Sequence, residues 1–216
     1  MSIKTIILDL LFPPKCVFCG KILYREAEKW CDKCTEALPF TINSGRQEGD
    51  SYDFCISPLY YKSVVRKSIL RFKFKGASAY ASAYGKILAE CIREQSDINY
   101  DIISWVPLSG KRKRTRGYDQ AMLLALATAL ELGDVAAETL TKPHDVRAQS
   151  EISDKDERHA NISGAYKVAD AELIEGKCVL LIDDIVTTGS TLSECTRVLL
   201  AAGATRIVCA ALARGE

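Results

Sequence analysis

The run Cys178-Val-Leu-Leu-Ile-Asp183-Asp184-Ile-Val-Thr187-Thr188-Gly189-Ser190-Thr191-Leu192 constrains the fold more than any other stretch of the sequence. An apolar strand ends in two adjacent carboxylates, and a loop of small hydroxyl residues then opens an amphipathic helical pattern over Ser190–Ala202. Unpaired N–H groups and a positive dipole make a helix start a phosphate cradle, and Gly189 lets a ligand approach the backbone. The carboxylates cannot serve that phosphate, because like charges repel. They accept hydrogen bonds from hydroxyls of the same ligand, or hold a cation. A sugar phosphate with neighbouring hydroxyls satisfies both halves. Taken singly, Asp183 and Asp184 merely end a strand and Ser190 or Thr191 caps a helix; their combination in one run favours a ligand site. No G-x-x-x-x-G-K-[ST] or G-x-G-x-x-G occurs, so P-loop and dinucleotide sites are not supported.

The rest of the larger unit has the matching alternation. Apolar runs at Ile102–Val106, Val135–Leu140, Val179–Ile182 and Ile207–Leu212 predict strands, and Ala77–Glu94, Asp119–Leu132 and Ser190–Ala202 predict helices. The expected fold class is α/β, a mainly parallel sheet flanked by helices, with ligands at the carboxyl ends of the strands. With 216 residues, 48% apolar and 26% charged, the chain suffices for one such core plus a small appendage. The apolar run Ile6–Phe12 is broken by Asp9 and closed by Pro13-Pro14, and no small-residue cleavage site follows. Neither a membrane span nor a signal peptide is expected, and the cytosol is the expected compartment.

The appendage is the cysteine-rich N-terminal part. Cys16-Val-Phe-Cys19-Gly and Cys31-Asp-Lys-Cys34 are two C-x2-C turns separated by eleven residues, a spacing that closes a tetrahedron of thiolates around one zinc ion. Four sulfur ligands leave no open position, so the predicted metal site (Cys16, Cys19, Cys31, Cys34) is structural. The expected division is 1–42 for an N-terminal helix and this module and 52–216 for the α/β domain, with linker composition at Asn43–Ser51. Cys55, Cys91, Cys178, Cys195 and Cys209 read as small core residues.

The net charge of +1 hides two basic stretches without an acid, Lys62–Lys75 and Lys111–Arg116. The first reads either as a single-strand-binding surface, with cations around Phe72 and Phe74, or as an amphipathic helix turning Val64, Val65, Ile69 and Phe72 to the core. It lies outside the phosphate fingerprint, so reversing Lys67, Arg71 and Lys73 is expected to leave that site intact. The second reads as a solvated basic loop or as a stretch open to an anionic ligand.

VLLIDDIVTTGSTL resembles the phosphoribosyl pyrophosphate (PRPP) signature of type I phosphoribosyltransferases. The whole chain resembles the ComF family, through LDLLFPPKCVFCG, CDKC, VRKSILRFKFKG, VPLSGKRKRTRGYDQA and QSEISDKDERHANISGAY, in that order. The resemblance implies a type I phosphoribosyltransferase fold with an N-terminal zinc-ribbon-like module. It implies PRPP or a ribose 5-phosphate ligand held by Asp183, Asp184, Thr187, Thr188, Gly189, Ser190 and Thr191, with Mg2+ accompanying PRPP and Zn2+ at the cysteines. The pyrophosphate loop would comprise Leu108, Ser109, Arg112, Arg114 and Arg116. Gln149, Arg158 and Asn161 match family positions, and His144 and His159 read as surface residues. It further implies a role in DNA uptake during natural transformation, with single-stranded DNA and DNA-uptake or recombination proteins as partners. The alternative is an active phosphoribosyltransferase of nucleotide metabolism whose acceptor is unassigned.

Overall fold

A computed structural model describes residues 13–23, 29–143 and 164–216. Its centre is a parallel sheet. Strand β1 (Cys55–Ile56) and strand β2 (Leu59–Tyr60) precede helices α2 (Ser63–Phe74) and α3 (Tyr80–Arg93). β3 (Ile102–Trp105) is followed by α4 (Gly110–Arg116) and α5 (Gln120–Leu132). A short pair, β4 (Leu140–Thr141) and β5 (Lys167–Val168), stands apart from the sheet; β6 (Cys178–Val186), α6 (Ser190–Ala201) and β7 (Arg206–Arg214) complete the order. Helix α1 (Asp32–Ala37) lies in the cysteine-rich part.

The sheet runs β1-β7-β6-β3, with β2 also on β7 and every pairing parallel. Cys55 opposes Cys209 and Leu59 opposes Ala213, so β1 and β2 keep one register across the break at Ser57-Pro58. Side-chain alternation divides the core in two. Leu180 and Ile182 of β6 face α2, α3 and α5, whereas Val179 and Leu181 face α6 and Ile174. At Gly85 an added Cβ would lie 2.6 Å from the backbone of Ala127, so the glycine is what lets α3 and α5 close.

The predicted helices form at Tyr80–Arg93, Gln120–Leu132 and Ser190–Ala201, with Asp119 as the N-cap of α5. Val135–Leu140 departs from expectation. Only Ala136 bridges to Ile103, Val135 is 78% exposed, and the chain then leaves the sheet so that Leu140 pairs antiparallel with Val168. Lys111–Arg116 is helical rather than a loop; Gly117 at φ 83 ends α4, and its last-turn cations suit the helix dipole.

Asn43–Ser51 is bonded to the domain. Ser57 N–H donates to the Ser44 carbonyl (2.7 Å), Cys55 N–H to Gln47 (2.8 Å), and Arg214 to the Gly45 carbonyl (3.0 Å). Cys16, Val17, Phe18, Leu23, Cys34 and Leu38 share the core of α2 and α3. The Val17 carbonyl accepts from Ser68 Oγ and from Arg71 (2.9 Å), and the Phe18 carbonyl from Arg71 (2.6 Å). The predicted N-terminal helix, His144, Gln149, Arg158, His159 and Asn161 lie outside the described residues.

Candidate functional site

β3 stops at Trp105 opposite Ile182, while β6 continues through Asp183 and Asp184 to Val186 alongside β7. That unequal length opens a crevice of about 220 Å³ at the carboxyl edge of the sheet. Its walls come from the loop after β3 (Leu108, Ser109), from α4 (Arg112, Arg116), from Asp183 and Asp184, and from Lys73 at the end of α2. Beside it, a hollow of about 40 Å³ is formed by Thr187, Thr188, Gly189, Ser190 and Thr191; Asp183 and Thr191 belong to both spaces. Of the residues predicted for the phosphoribosyl ligand, Arg114 alone lines neither space and is exposed on α4.

Gly189 is the N-cap of α6 at φ 76 and brings no side chain to compete for the first-turn N–H groups. Thr188 Oγ1 and Ser190 Oγ lie 2.8 Å apart, which shapes the loop. The space a Cβ on Gly189 would take is already filled: the Tyr52 hydroxyl is 2.6 Å from that position. A bulky residue there therefore meets the Tyr52 hydroxyl.

Two adjacent carboxylates at a crevice are costly unless compensated. Burial first, and then the Asp184 carboxylate, push Asp183 up to about 8, against the pull of the Lys73 ammonium. Its folded value thus exceeds the ordinary 3.8, so between those values the fold holds a proton the unfolded chain releases. The group's contribution to stability is present at low pH and is lost as pH rises through about 8. Asp184 carries an ion pair with Lys73, Nζ to Oδ1 2.7 Å, between side chains only 17% and 12% exposed. The expectation that the Lys62–Lys75 segment lies apart from the phosphate site is therefore corrected. Lys73 lines the crevice, and Arg71 is spent on the carbonyls of Val17 and Phe18. The apolar face of α2 is as predicted, with Val65, Ile69 and Phe72 buried and Val64 half-buried.

The four motif cysteines bring their sulfurs within 4.8 Å of one another, with Cys19 and Cys31 Sγ 3.7 Å apart. None is in a disulfide. A zinc ion about 2.3 Å from each sulfur places tetrahedral ligands at about that separation, so the donor set fits. Burial raises Cys16, but N–H groups of Cys19, Cys31 and Phe18 outweigh it and bring the thiol down to about 7. Burial and the neighbouring sulfurs push Cys34 up. The cluster carries all four thiolates only with a cation at its centre.

Comparison with known proteins agrees with this geometry. Residues 112–216 match the phosphoribosyl transferase domain family, and residues 7–46 match the double zinc ribbon domain family. The DNA utilization protein YhgH of Salmonella typhimurium is 27% identical over 89% of this chain and 86% of its own. The competence protein ComFC of Bacillus subtilis is 25% identical over 87% of this chain and 72% of its own. Over most of its length the chain is similar to proteins of the ComF family. Among solved structures, the B. subtilis glutamine PRPP amidotransferase aligns with a TM-score of 0.43 at 19% identity, over 62% of this chain. This chain spans about a quarter (26%) of that protein's length.

The chain has the type I phosphoribosyltransferase fold with an N-terminal cysteine module. The double-ribbon match spans one cysteine quartet only, so a single four-sulfur centre is available. The sequence missed several crevice residues. Asp119 caps α5 by accepting from Met122 N–H (3.2 Å) and fixes the loop after β3 by accepting from Leu108 N–H (2.7 Å). An acidic residue just before an apolar helical run is the kind of signal that could have found the first bond; nothing local signals the second. Lys142 and Tyr166 enter from the β4–β5 pair, the ammonium 2.9 Å from the phenol oxygen and over the ring. No helix among the described residues is long and apolar enough to cross a membrane.

Proposed function

We propose that this protein binds PRPP or a related ribose 5-phosphate ligand in the cytosol, and serves the handling of DNA taken up during transformation. The observation that carries the ligand is the junction at Asp183 and Thr191, where a small hollow at a helix start adjoins a crevice lined by both carboxylates and cations. The 5′-phosphate takes the loop Thr187–Thr191, the ribose hydroxyls donate to Asp183 and Asp184, and Arg112 and Arg116 take pyrophosphate oxygens. The relatives' names, DNA utilization protein and competence protein, supply the biological context. Cys16, Cys19, Cys31 and Cys34 would hold one structural zinc ion, which cross-links the two C-x2-C turns. Magnesium at the acidic pair would have to displace Lys73, whose ammonium is already paired with Asp184.

The test is calorimetric titration with ribose 5-phosphate. Because the hydroxyls need carboxylate acceptors, affinity is expected to rise about tenfold from about pH 7 to about pH 9 as Asp183 ionises, with the phosphate a dianion throughout. Asp183→Asn with Asp184→Asn should bind at least about tenfold more weakly and without that pH dependence. Equal binding by both proteins would refute the assignment. An active phosphoribosyltransferase is the alternative role of the same crevice, and release of pyrophosphate from PRPP with a panel of bases and amines distinguishes it.

A second reading, direct contact with single-stranded DNA, is favoured by one surface. Phe74 is 58% exposed at the end of α2, with exposed Arg66, Lys67 and Lys75 on the same segment. Aromatic faces among cations suit a flexible strand. Reversing Arg66, Lys67 and Lys75 to Glu should flatten the slope of log affinity against log salt by about 2, at about 0.7 per phosphate contact. Fluorescence anisotropy of a labelled oligonucleotide reads this, and absence of binding at low salt would remove DNA contact by this surface.

A further inference from the structure

We infer that Lys73 is the resident counter-cation of the Asp183–Asp184 pair, occupying the position where a divalent ion would otherwise balance those carboxylates; the ligand class rests on the proposed function. Three observations carry it. First, the ammonium is 2.7 Å from Asp184 Oδ1 and largely withdrawn from water, and it pulls Asp183 toward its charged form. Second, Lys73 is delivered from a fixed anchor. The neighbouring Phe72 ring is fully buried against Tyr84, with centroids 5.3 Å apart, and the Phe72 carbonyl accepts from the Tyr118 hydroxyl. One turn earlier, Ser68 bonds both Tyr84 (2.6 Å) and the Val17 carbonyl. Third, an ammonium there and a dication within a few ångströms would repel strongly at low effective dielectric, so the two compete for the pair rather than share it. Lys73 is thus a positioning residue: it holds the Asp184 carboxylate in place and charge-balanced before ligand arrives, and it couples the pair to the helix that packs on the cysteine module.

The consequence is that removing the ammonium creates a divalent-cation site. The experiment uses the full-length, zinc-loaded chain and Mn2+ alone, followed by its effect on water-proton relaxation. Lys73→Met, which keeps the aliphatic stem, is expected to bind Mn2+ at least about tenfold more tightly than wild type, equivalent to about 1.4 kcal/mol. Lys73→Arg should behave as wild type, and adding Asp184→Asn to Lys73→Met should abolish the gain. Equal Mn2+ affinity in wild type and Lys73→Met, or a gain that survives Asp184→Asn, would overturn the inference. Ribose 5-phosphate titrated into the same samples separates the two claims. No binding by any of them would count against the proposed function, whereas the Mn2+ comparison decides the role of Lys73 by itself.

Discussion

Replacing Cys31 by Ser is expected to take the zinc content from one ion per chain to none and to lower the melting temperature of the whole protein. Three sulfurs and a hydroxyl no longer balance the charge or geometry of the ion, and buried Cys34 is left among thiols. The loss does not stay local, because the first knuckle is part of the main core. Phe18 packs on Tyr84 of α3 (centroids 6.2 Å apart) and on Trp30 (6.1 Å). Val17 and Phe18 carbonyls also receive Ser68 and Arg71 of α2. If those contacts loosen, Arg71 and Ser68 lose acceptors at about 1–3 kcal/mol each. That corresponds to a fall of roughly 5–15 °C for a chain of this size. Elemental analysis and thermal unfolding of wild type and variant check it. A metal-free variant that melts with wild type would show that the module stabilises nothing beyond itself.

Gly189→Val should abolish ribose 5-phosphate binding while leaving zinc content unchanged. At φ 76 a β-branched residue is strongly disfavoured, and its Cβ falls 2.6 Å from the Tyr52 hydroxyl, in a space too small for both. The loop must shift, and the first-turn N–H groups of α6 turn away from the hollow. Losing charge-assisted bonds from two such groups costs on the order of 3–6 kcal/mol, at least about a hundredfold in affinity. Tyr52→Phe separates the causes. By removing the hydroxyl it should restore part of the binding lost in Gly189→Ala, an outcome not expected if the added methyl pointed into the ligand's space. Calorimetry on the two single variants and the pair reads this directly.

These expectations also mark how far the sequence reaches. Asp183, Asp184 and the Thr187–Thr191 loop were legible because strand, carboxylates, loop and helix are contiguous, so one local pattern carries the geometry. The same holds for the cysteines, whose spacing alone brings four sulfurs together. Lys73 was assigned to a surface because helical periodicity says which side of α2 is apolar but not what stands at its end. Its meeting with Asp184 depends on a contact across 111 positions of chain, fixed by Phe72 and Tyr118. Tyr52 was invisible for the same reason: its hydroxyl reaches Gly189 only because β1 pairs with β7 on the far side of β6. Val135–Leu140 misled through composition. An apolar run next to a sheet reads as a strand, but here the chain spends it on one bridge and a separate antiparallel pair.

The central claim is that the crevice and the α6 hollow form one phosphoribosyl site. Titration of PRPP into the folded, zinc-loaded chain tests it most directly, with ribose 5-phosphate as competitor. The account predicts saturable binding at one site per chain, displaced by ribose 5-phosphate and lost in Gly189→Val. PRPP that fails to saturate the chain, or that binds undisturbed by ribose 5-phosphate and Gly189→Val, would contradict it.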